Sequence, residues 1–585
     1  MSLFRSEGFA AVDRHRDRDS VEVAPAAAVA RRGASPMLRT RLATGAFVAV
    51  FAILAARMAQ IAVGAPSPET AERAATASAV EPARRAPLTD REGRLIATTL
   101  QTWEVFLRPR RTERAGGLDE ATLTALGEVF PRLDLLSLSR ELTDGERTFL
   151  YIERKASPDQ WRRARDLGIV GLEAKPREDR VYPAGRIVAH VVGGVDVDNK
   201  GVAGVEAGLE PRIARSGEPL ALSIDLRVQA ALRKTLSEAR SEFAAPGASG
   251  LVMDVRTGEI VALVSLPDFD PNDRPEAPRG VDAQAASPTF NKPVQGLFEL
   301  GSIFKLLTAA MALETGEIGL DSQFNATAPL RRGGFRIDDY RGKRRWMSLR
   351  EVVRYSSNIG AVRVADVIRP ERQEAFFETF GIAGRVALAE MPKGERGRAQ
   401  LPRKWGRAES ATVSYGHGIS VTPLHLLTAI ASISNDGCRV TPTLLRRDGP
   451  PEDCDRVVSS DTSRKVNDLM RLVAEKSSGR SANIPGYEIG GKTGTAYQVK
   501  PSGGYDTDKR FNSFLALWPT SEPAYAMLVS LDDPKILDGS RKLPLAGRTA
   551  APTAGRALER IVPLLGLVPR DRFRSVSASG GGEAG

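Results

Sequence analysis

Several residue types on which functional sites depend are scarce in this sequence. Its 585 residues include two cysteines, Cys438 and Cys454, and four histidines, and neither the C-x-x-C nor the H-E-x-x-H spacing of a zinc site occurs. We therefore expect no metal and no cofactor. The two cysteines could pair in an oxidising compartment, but the sequence leaves open whether the fold brings them close enough.

Aromatic residues are also few, and no region carries charge of one sign only. Phe, Trp and Tyr make up 6% of the chain. The 83 basic residues exceed the 72 acidic ones, which gives a net charge of +11 and an isoelectric point near 9.7, yet the two kinds are interleaved. A nucleic-acid-binding protein of this charge would carry a basic stripe with stacking rings. We therefore expect no nucleic acid among the partners.

Long hydrophobic runs are rare as well, and one segment comes close to the length of a membrane span. Residues 42–56 carry no charge, but fifteen residues are fewer than the roughly twenty that a bilayer requires. Continuing the helix through Arg57 to Val63 gives sufficient length if the arginine side chain extends to the interface. Arginines precede the run, so the positive-inside rule places the N-terminus in the cytoplasm and the chain after about residue 64 outside. A cleaved signal peptide is the alternative, and the long charged segment upstream favours an uncleaved anchor.

The residues that are present divide the chain into six parts. The composition predicts a disordered cytoplasmic tail (1–41), a transmembrane anchor (42–63), a linker (64–84), an α+β domain without a catalytic constellation (85–222), a larger domain (223–566) and a flexible tail (567–585). In the larger domain, two strands flank a turn at 256–259, a mainly helical region covers about 295–480, and three more strands follow. Because the strands cluster instead of alternating with helices, we expect an α/β (α+β) fold with a mostly antiparallel sheet flanked by helices.

Three short polar motifs follow one another in the larger domain. Ser302 and Lys305 form an S-x-x-K pair at the start of an apolar helix, and Ser356 and Asn358 form an S-x-N element. The third motif, on a strand opened by two glycines, consists of Lys492, Thr493, Gly494 and Thr495. Each motif alone has an ordinary explanation, such as a helix start or a solvated strand residue. In this order they form the set that is typical of β-lactamases and penicillin-binding proteins.

The first motif suggests a nucleophile and its base. A serine hydroxyl is a weak nucleophile, and Lys305 is the candidate base because about one helical turn separates it from Ser302. An ordinary lysine has a pKa of about 10.4. Burial or the positive charge of Lys492 must therefore lower the pKa of Lys305 if it is to accept a proton near neutral pH.

Residues 85–565 as a whole resemble a class B penicillin-binding protein. Besides the three motifs, the stretch 177–210 resembles the pedestal of that family, and 414–437 resembles the segment between its second and third motifs. The sequences "GRIVAHVVGGVDVDNKGVAGVE" and "LVSLPDFDPND" resemble the septal, FtsI-type transpeptidase more than the elongation enzyme. The resemblance implies the penicillin-binding transpeptidase fold, in which 85–222 is the pedestal (dimerisation) domain and 223–566 the transpeptidase domain, with a single transmembrane helix before them.

The resemblance also implies a role for each motif residue. Ser302 would attack the carbonyl between the two terminal D-alanines of a peptidoglycan stem pentapeptide, with Lys305 as its base. Ser356 would relay a proton to the leaving amine, and Asn358 would hydrogen-bond the substrate backbone. The third motif would bind the terminal carboxylate, with Lys492 as a catalytic residue and Thr493, Gly494 and Thr495 as substrate-binding residues. The backbone N–H groups of Ser302 and Thr495 would form the oxyanion hole.

The implied partners are stem pentapeptides, β-lactams, the membrane, an FtsW-type glycan polymerase and other divisome proteins. The polymerase is expected because no E-D-x-x-F-x-x-H pattern of a glycosyltransferase precedes residue 222. The expected location is the bacterial inner membrane at the division septum, with a single pass, the N-terminus in the cytoplasm and the catalytic domain in the periplasm. Alternatives are an elongation-type transpeptidase, a D,D-carboxypeptidase or β-lactam-hydrolysing enzyme, and a non-catalytic β-lactam sensor.

Overall fold

The computed structural model describes residues 36–64, 85–143, 147–276, 278, 280–500, 504–539 and 542–570. The chain forms two compact units, 1–82 and 83–585. In the first unit a helix covers Pro36–Gly64. Most of the predicted tails and linker lie outside the described residues.

A search of the described residues for a membrane-crossing helix finds none that is both long and apolar enough. The anchor over 42–63 therefore stays a prediction.

The second unit begins with a small mixed sheet. Its strands are β1 (Leu88–Thr89), β2 (Leu95–Leu107), β3 (Leu150–Ala156) and β4 (Leu172–Val181), followed by the short pair β5 (Gly194–Val195) and β6 (Gly201–Ala203) and by β7 (Leu220–Ala221). The long strand β2 pairs in antiparallel fashion with β1, β3 and β4, and β7 adds to β1 in parallel. The helices of this part are Pro109–Arg114, Glu120–Val129, Leu135–Thr143, Pro158–Asp166, Ala189–Val192, Gly204–Gly208 and Glu210–Ser216. Strands and helices are mixed here, as the sequence predicts for an α+β domain.

A buried ion-pair network holds this part together. The carboxylate of Glu206, which is 0% exposed, accepts hydrogen bonds from Arg180 Nε at 2.7 Å and from Arg85 Nη2 at 2.7 Å. Arg85 also reaches Glu210 at 2.6 Å. Removing a carboxylate from such a buried cluster leaves its arginines without compensation, so the network is costly to break.

The main sheet of the second unit has five antiparallel strands. The remaining strands of the chain are β8 (Gly247–Asp254), β9 (Ile260–Leu266), β10 (Gln323–Asn325), β11 (Leu330–Arg332), β12 (Phe335–Ile337), β13 (Trp346–Ser348), β14 (Gly490–Val499), β15 (Tyr505–Trp518) and β16 (Tyr525–Asp532). In the main sheet the strand order is β14-β15-β16-β8-β9. All four pairings are antiparallel, which confirms the mostly antiparallel sheet predicted from the clustering of strands.

Both faces of the main sheet are buried. Along β15, Phe514 and Ala516 pack into one hydrophobic cluster, whereas Leu515 and Leu517 pack into another, as the two-residue period of a strand requires. Helices Leu226–Glu242 and Ala550–Ile561 cover the first of these faces. The other helices of this part are Val281–Ala286, Lys292–Gln295, Phe304–Glu314, Leu349–Tyr355, Asn358–Ile368, Pro370–Thr379, Arg407–Val413, Pro423–Ser434 and Ser460–Lys476.

The region predicted to be mainly helical also contains two small sheets. Strand β10 pairs with β13, and β11 pairs with β12. Each of these strands has three residues, too few for an alternating pattern to be read from the sequence. The same region contains a disulfide bond between Cys438 and Cys454, whose Cα atoms lie 5.1 Å apart. The fold thus answers the question of cysteine pairing that the sequence left open.

Candidate active site

The S-x-x-K motif lies at a tight turn followed by a helix. Ser302 is in the 3-10 turn Gly301–Ile303, and Lys305 is in the first turn of the helix Phe304–Glu314. The Lys305 Nζ and Ser302 Oγ atoms are 2.8 Å apart, and Lys305 is 1% exposed. A buried amine in contact with a hydroxyl is the geometry that a serine nucleophile and its base require.

Three glycines allow backbone segments to approach this turn closely. Gly301 has φ +55°, and a Cβ there would lie 2.7 Å from the carbonyl oxygen of Thr495. A Cβ on Gly416 would lie 2.1 Å from the carbonyl oxygen of Gly301, and one on Gly494 would lie 2.3 Å from that of Leu300. The turn that carries Ser302 therefore packs directly on the backbone of β14 and of the segment at Gly416. Gly494 lies against the backbone of Leu300, two residues before Ser302.

The S-x-N motif joins two helices. A capping box formed by Ser348 and Glu351 begins the helix Leu349–Tyr355, which ends at Ser356 in a left-handed conformation with φ 57° and ψ 42°. Ser356 Oγ lies 3.3 Å from Lys305 Nζ, and Asn358 Oδ1 accepts a hydrogen bond from Lys305 Nζ at 2.7 Å. The second motif thus surrounds the amine of the first.

The third motif supplies a second buried lysine. Lys492, on β14 and 0% exposed, donates to Ser356 Oγ at 3.0 Å and to the carbonyl oxygen of Thr493 at 3.1 Å. The Thr493 and Ser478 hydroxyl oxygens are 2.8 Å apart, and Thr495 Oγ1 accepts from the Ala546 N–H at 3.1 Å. Because Thr495 accepts this bond, its own hydroxyl hydrogen remains available to a ligand.

Burial shifts the pKa values of both lysines downward. The pKa of Lys305 is well below its ordinary value because the amine is desolvated and because Lys492 is close, although the negative charge of Asp339 acts in the opposite direction. Burial also lowers the pKa of Lys492 to about 7. A lowered pKa favours the uncharged form of the Lys305 amine, which is the form that can accept the proton of a serine hydroxyl.

One carboxylate, that of Asp339, supports the site although none of the three motifs indicates it. Asp339 Oδ1 accepts hydrogen bonds from the backbone N–H groups of Asn358 at 2.6 Å and Ile359 at 3.0 Å, and its Oδ2 accepts from the Ser357 hydroxyl at 2.7 Å. The neighbouring Asp338 carbonyl accepts from Asn358 Nδ2 at 3.1 Å. Asp339 lies between β12 and β13, where no pattern in the sequence indicates a partner for the second motif.

The motif residues open onto a cleft of about 810 Å³. Five predicted site residues line it together with residues that the motifs did not indicate. The predicted residues are Ser302, Ser356, Asn358, Thr493 and Thr495; the others include Tyr355, His417, Tyr497 and Ala546. Burial and the charge of Lys305 lower the pKa of His417 to about 4, so this imidazole is uncharged near neutral pH. Within the described ranges, no cluster of His, Cys, Asp and Glu has the arrangement of a metal site.

Two family models match the chain. The model described as penicillin binding protein transpeptidase domain matches residues 248–558, and the model described as penicillin-binding protein dimerisation domain matches residues 80–208. Together the two models cover most of the described second unit.

Curated relatives show the same similarity over most of their length. The chain is 35% identical over 510 residues to the probable peptidoglycan D,D-transpeptidase FtsI of Caulobacter vibrioides, covering 85% of this chain and 84% of the relative. It is 30% identical to the peptidoglycan D,D-transpeptidase FtsI of Escherichia coli K12, covering 79% and 82%.

Solved structures have the same fold. Penicillin-binding protein 3 of Mycobacterium tuberculosis, without ligand, aligns with a TM-score of 0.62 at 23% identity, over 83% of this chain and 98% of that one. The structure of the same protein in complex with ampicillin aligns with a TM-score of 0.62, over 83% and 96%.

Proposed function

Since the chain belongs to the penicillin-binding protein family and carries that family's transpeptidase and dimerisation domains, we propose that it is a serine D,D-transpeptidase that cross-links peptidoglycan stem peptides. One observation carries the chemical part of this proposal. Lys305 Nζ lies 2.8 Å from Ser302 Oγ, in a site where burial lowers the pKa of the amine. A serine with such a base can form an acyl-enzyme.

In the first step, Ser302 Oγ attacks the carbonyl carbon between the two terminal D-alanines, and Lys305 takes the hydroxyl proton. The tetrahedral intermediate then collapses, the C–N bond breaks, and D-alanine leaves with a proton on its amine. Ser356 is the relay for that proton because its hydroxyl contacts both Lys305 and Lys492. The product is an ester between Ser302 and the stem peptide.

The third motif binds the terminal carboxylate of the donor. Lys492, which is on β14, provides positive charge. Thr493 and Thr495 of the same strand line the cleft together with Ser302. The backbone N–H groups of Ser302 and Thr495 serve as the oxyanion hole, because the Ser302 turn packs against Thr495. Loss of one such donor typically lowers the rate about a hundredfold to a thousandfold.

In the second step, the amine of a neighbouring stem attacks the ester carbonyl. The bond to Ser302 Oγ breaks, the cross-link forms, and the amine proton returns to the serine. A β-lactam acylates Ser302 in the same way as the donor. The complexes of penicillin-binding protein 3 of Mycobacterium tuberculosis with aztreonam and with ampicillin support β-lactam binding, because that protein has the same fold.

The membrane anchor, the septal location and the partners belong to the same proposal. The FtsI names of the relatives from Caulobacter and Escherichia support a role in cell division. The arginines before residue 42 and the uncharged run after it support a single-pass anchor in the inner membrane, with the catalytic domain in the periplasm. We propose that an FtsW-type polymerase supplies the glycan strands and that other divisome proteins recruit the enzyme. A fluorescent fusion at mid-cell supports this proposal, whereas side-wall fluorescence favours an elongation role.

Fluorescent-penicillin labelling tests the acyl-enzyme. The wild-type protein should retain label through denaturation, and Ser302→Ala should retain none because the attacking oxygen is gone. Ser481→Ala is a matched control, because Ser481 is exposed, begins a second S-x-N sequence and lies outside the cleft. Label on Ser302→Ala equal to that on the wild type would overturn the assignment.

The fate of the adduct separates the transferase from its rivals. A transpeptidase should hold the penicilloyl group for many minutes and transfer a stem acyl group to an amine. Rapid penicillin turnover would identify a β-lactamase, and release of D-alanine without cross-links a carboxypeptidase. Full complementation of a deletion by Ser302→Ala would indicate a non-catalytic sensor.

A further inference from the structure

The cleft contains far more positive than negative charge. Among its described lining residues there are five basic side chains and two carboxylates: Arg341, Lys343, Arg354, Arg510 and Arg548 against Asp338 and Asp339. Both carboxylates are already engaged by protein groups. Asp338 pairs with Arg336 and Arg344, and Asp339 accepts the three hydrogen bonds described above.

Two of the five cations lie on one aromatic ring. Lys343 Nζ is 4.9 Å from the centre of the Tyr355 ring, and Arg354 Cζ is 5.0 Å from it. We refer to Lys343, Arg354 and Tyr355 as the Tyr355 cluster. Neither cation is in direct contact with a carboxylate of the described residues, although the charge of Arg354 helps to lower the pKa of the Glu351 carboxyl. The Nε of Arg354 is buried without a hydrogen-bond partner among the described residues. Both cations therefore keep the capacity to bind an anionic group.

The Tyr355 cluster lies beside the atoms that handle the amine. Tyr355 directly precedes Ser356, whose hydroxyl contacts both catalytic lysines. In the proposed function, Ser356 protonates the leaving amine, and the incoming amine must occupy the same place when it attacks the ester. The acceptor peptide therefore passes the Tyr355 cluster on its way to Ser302.

We propose that the Tyr355 cluster is a subsite for a free carboxylate on the acceptor peptide. The enzyme then selects acceptors that carry a carboxylate close to the attacking amine and discriminates against the corresponding carboxamides. A guanidinium can bind a carboxylate with two parallel hydrogen bonds, and a lysine ammonium adds a single charge-assisted one. A carboxylate between Arg354 and Lys343 would also relieve the repulsion between two like charges on one ring. This inference rests on the proposed function and identifies its acceptor.

Partitioning of the acyl-enzyme tests the subsite. The full-length protein is acylated with a thioester mimic of the acyl-D-alanyl donor, and aminolysis is compared with hydrolysis for two acceptor peptides. The peptides differ only in a carboxylate or a carboxamide next to the amine. We expect aminolysis of the wild-type acyl-enzyme to favour the carboxylate peptide by about tenfold, the effect of one charge-assisted contact.

Two variants test which side chains cause the preference for the carboxylate peptide. Arg354→Gln and Lys343→Gln should each reduce the preference to about threefold or less, and the double variant should bring it close to one. Lys404→Gln is a matched control, because Lys404 is exposed and lies outside the cleft, and it should keep the wild-type preference. Fluorescent-penicillin labelling of each variant reports separately whether its site has folded.

Three results would overturn the subsite. They are a wild-type preference near one, a double variant that keeps the wild-type preference, and variants that lose aminolysis equally for both peptides. If the two variants slow acylation instead of changing aminolysis, the two cations bind the donor. That result would overturn the assignment to the acceptor. Failure of the wild type to form any acyl-enzyme would instead reject the proposed function.

Discussion

Two buried lysines share one hydroxyl at the centre of the site. Ser356 Oγ lies 3.3 Å from Lys305 Nζ and 3.0 Å from Lys492 Nζ. Burial lowers the pKa of both amines, and the nearness of Lys492 lowers that of Lys305 further. The acidic limb of the pH–rate profile of acylation should therefore lie below the ordinary pKa of a lysine.

Burial and Lys492 lower the pKa of Lys305, whereas the negative charge of Asp339 raises it. Replacing Asp339 by Asn removes this negative charge, so the pKa of Lys305 falls further, and the acidic limb of the acylation rate should move to lower pH. The weakened hydrogen bonds to Asn358 and Ser357 should lower the maximal rate about tenfold to a hundredfold. Stopped-flow acylation by a chromogenic β-lactam between pH 5 and 9 measures both effects.

Asp338→Asn provides the comparison for this prediction. Its carboxylate pairs with Arg336 and Arg344 and makes none of the bonds to the second motif. This variant should keep the position of the acidic limb. If Asp339→Asn lowers the rate without moving that limb, its role is confined to holding the backbone.

At the scale of single residues, the sequence predicted side chains that belong to ordered motifs. Ser302 and Lys305 are close along the helix, and the structure brings them into contact with Ser356, Asn358 and Lys492. Asp339 and Lys343 escaped prediction because they lie in a connection between three-residue strands, where no periodicity or motif marks a side chain as facing the site. Their importance comes entirely from tertiary contact.

At the scale of elements, apolar runs were predictable and short polar ones were not. The strands β8 and β9 flank the predicted turn at 256–259, and β14, β15 and β16 lie where three strands were expected. The side chains of β8 and β9 are buried on both faces, so hydrophobicity alone marks these two strands. The short strands β10 to β13 depend on tertiary contacts, which cannot be predicted from a local sequence pattern.

The segment between Cys438 and Cys454 depends on its cross-link. The two cysteines are 16 positions apart in the sequence. In the chain-entropy account, a loop of this length gives about 3 kcal/mol of stability to the folded state. The double variant Cys438→Ser with Cys454→Ser should therefore unfold at lower temperature than the wild type in the absence of reductant.

Reductant provides the control for this prediction. Calorimetry with dithiothreitol should lower the unfolding temperature of the wild type toward that of the double variant and leave the double variant unchanged. Equal unfolding temperatures of the two proteins without reductant would contradict the prediction.

At the scale of the whole molecule, one hydrophobic cluster connects the small mixed sheet with the catalytic region. Leu88 and Val188 belong to it, and so do Phe304 and Leu515. The main-chain N–H of Gly204 also donates to Glu395 at 3.1 Å, across the same boundary. We therefore expect residues 85–570 to unfold cooperatively.

Glu206→Gln tests this cooperativity. The variant leaves the buried Arg180 without its carboxylate and Arg85 with Glu210 alone. Breaking a buried ion pair in this way costs about 3–5 kcal/mol. Both the unfolding temperature and the temperature at which penicillin labelling is lost should fall together. Glu210→Gln is the matched control, because Glu210 is 25% exposed, and its effect should be below about 1 kcal/mol.

Two outcomes would contradict cooperative unfolding. One is an unfolding transition of Glu206→Gln that splits in two. The other is labelling that persists at wild-type temperatures while the small sheet has unfolded.

The glycines around Ser302 have a consequence for how the enzyme matures. The turn at Gly301 touches the backbone of Gly416 and of Thr495, two segments far away along the chain, with no side chain between them. Contacts of such long sequence separation form late in folding, because the intervening loops must close first. A newly made molecule should therefore gain its secondary structure before it can be acylated. Penicillin is then a reporter of completed folding, and a β-lactam cannot inactivate a chain that is still being assembled.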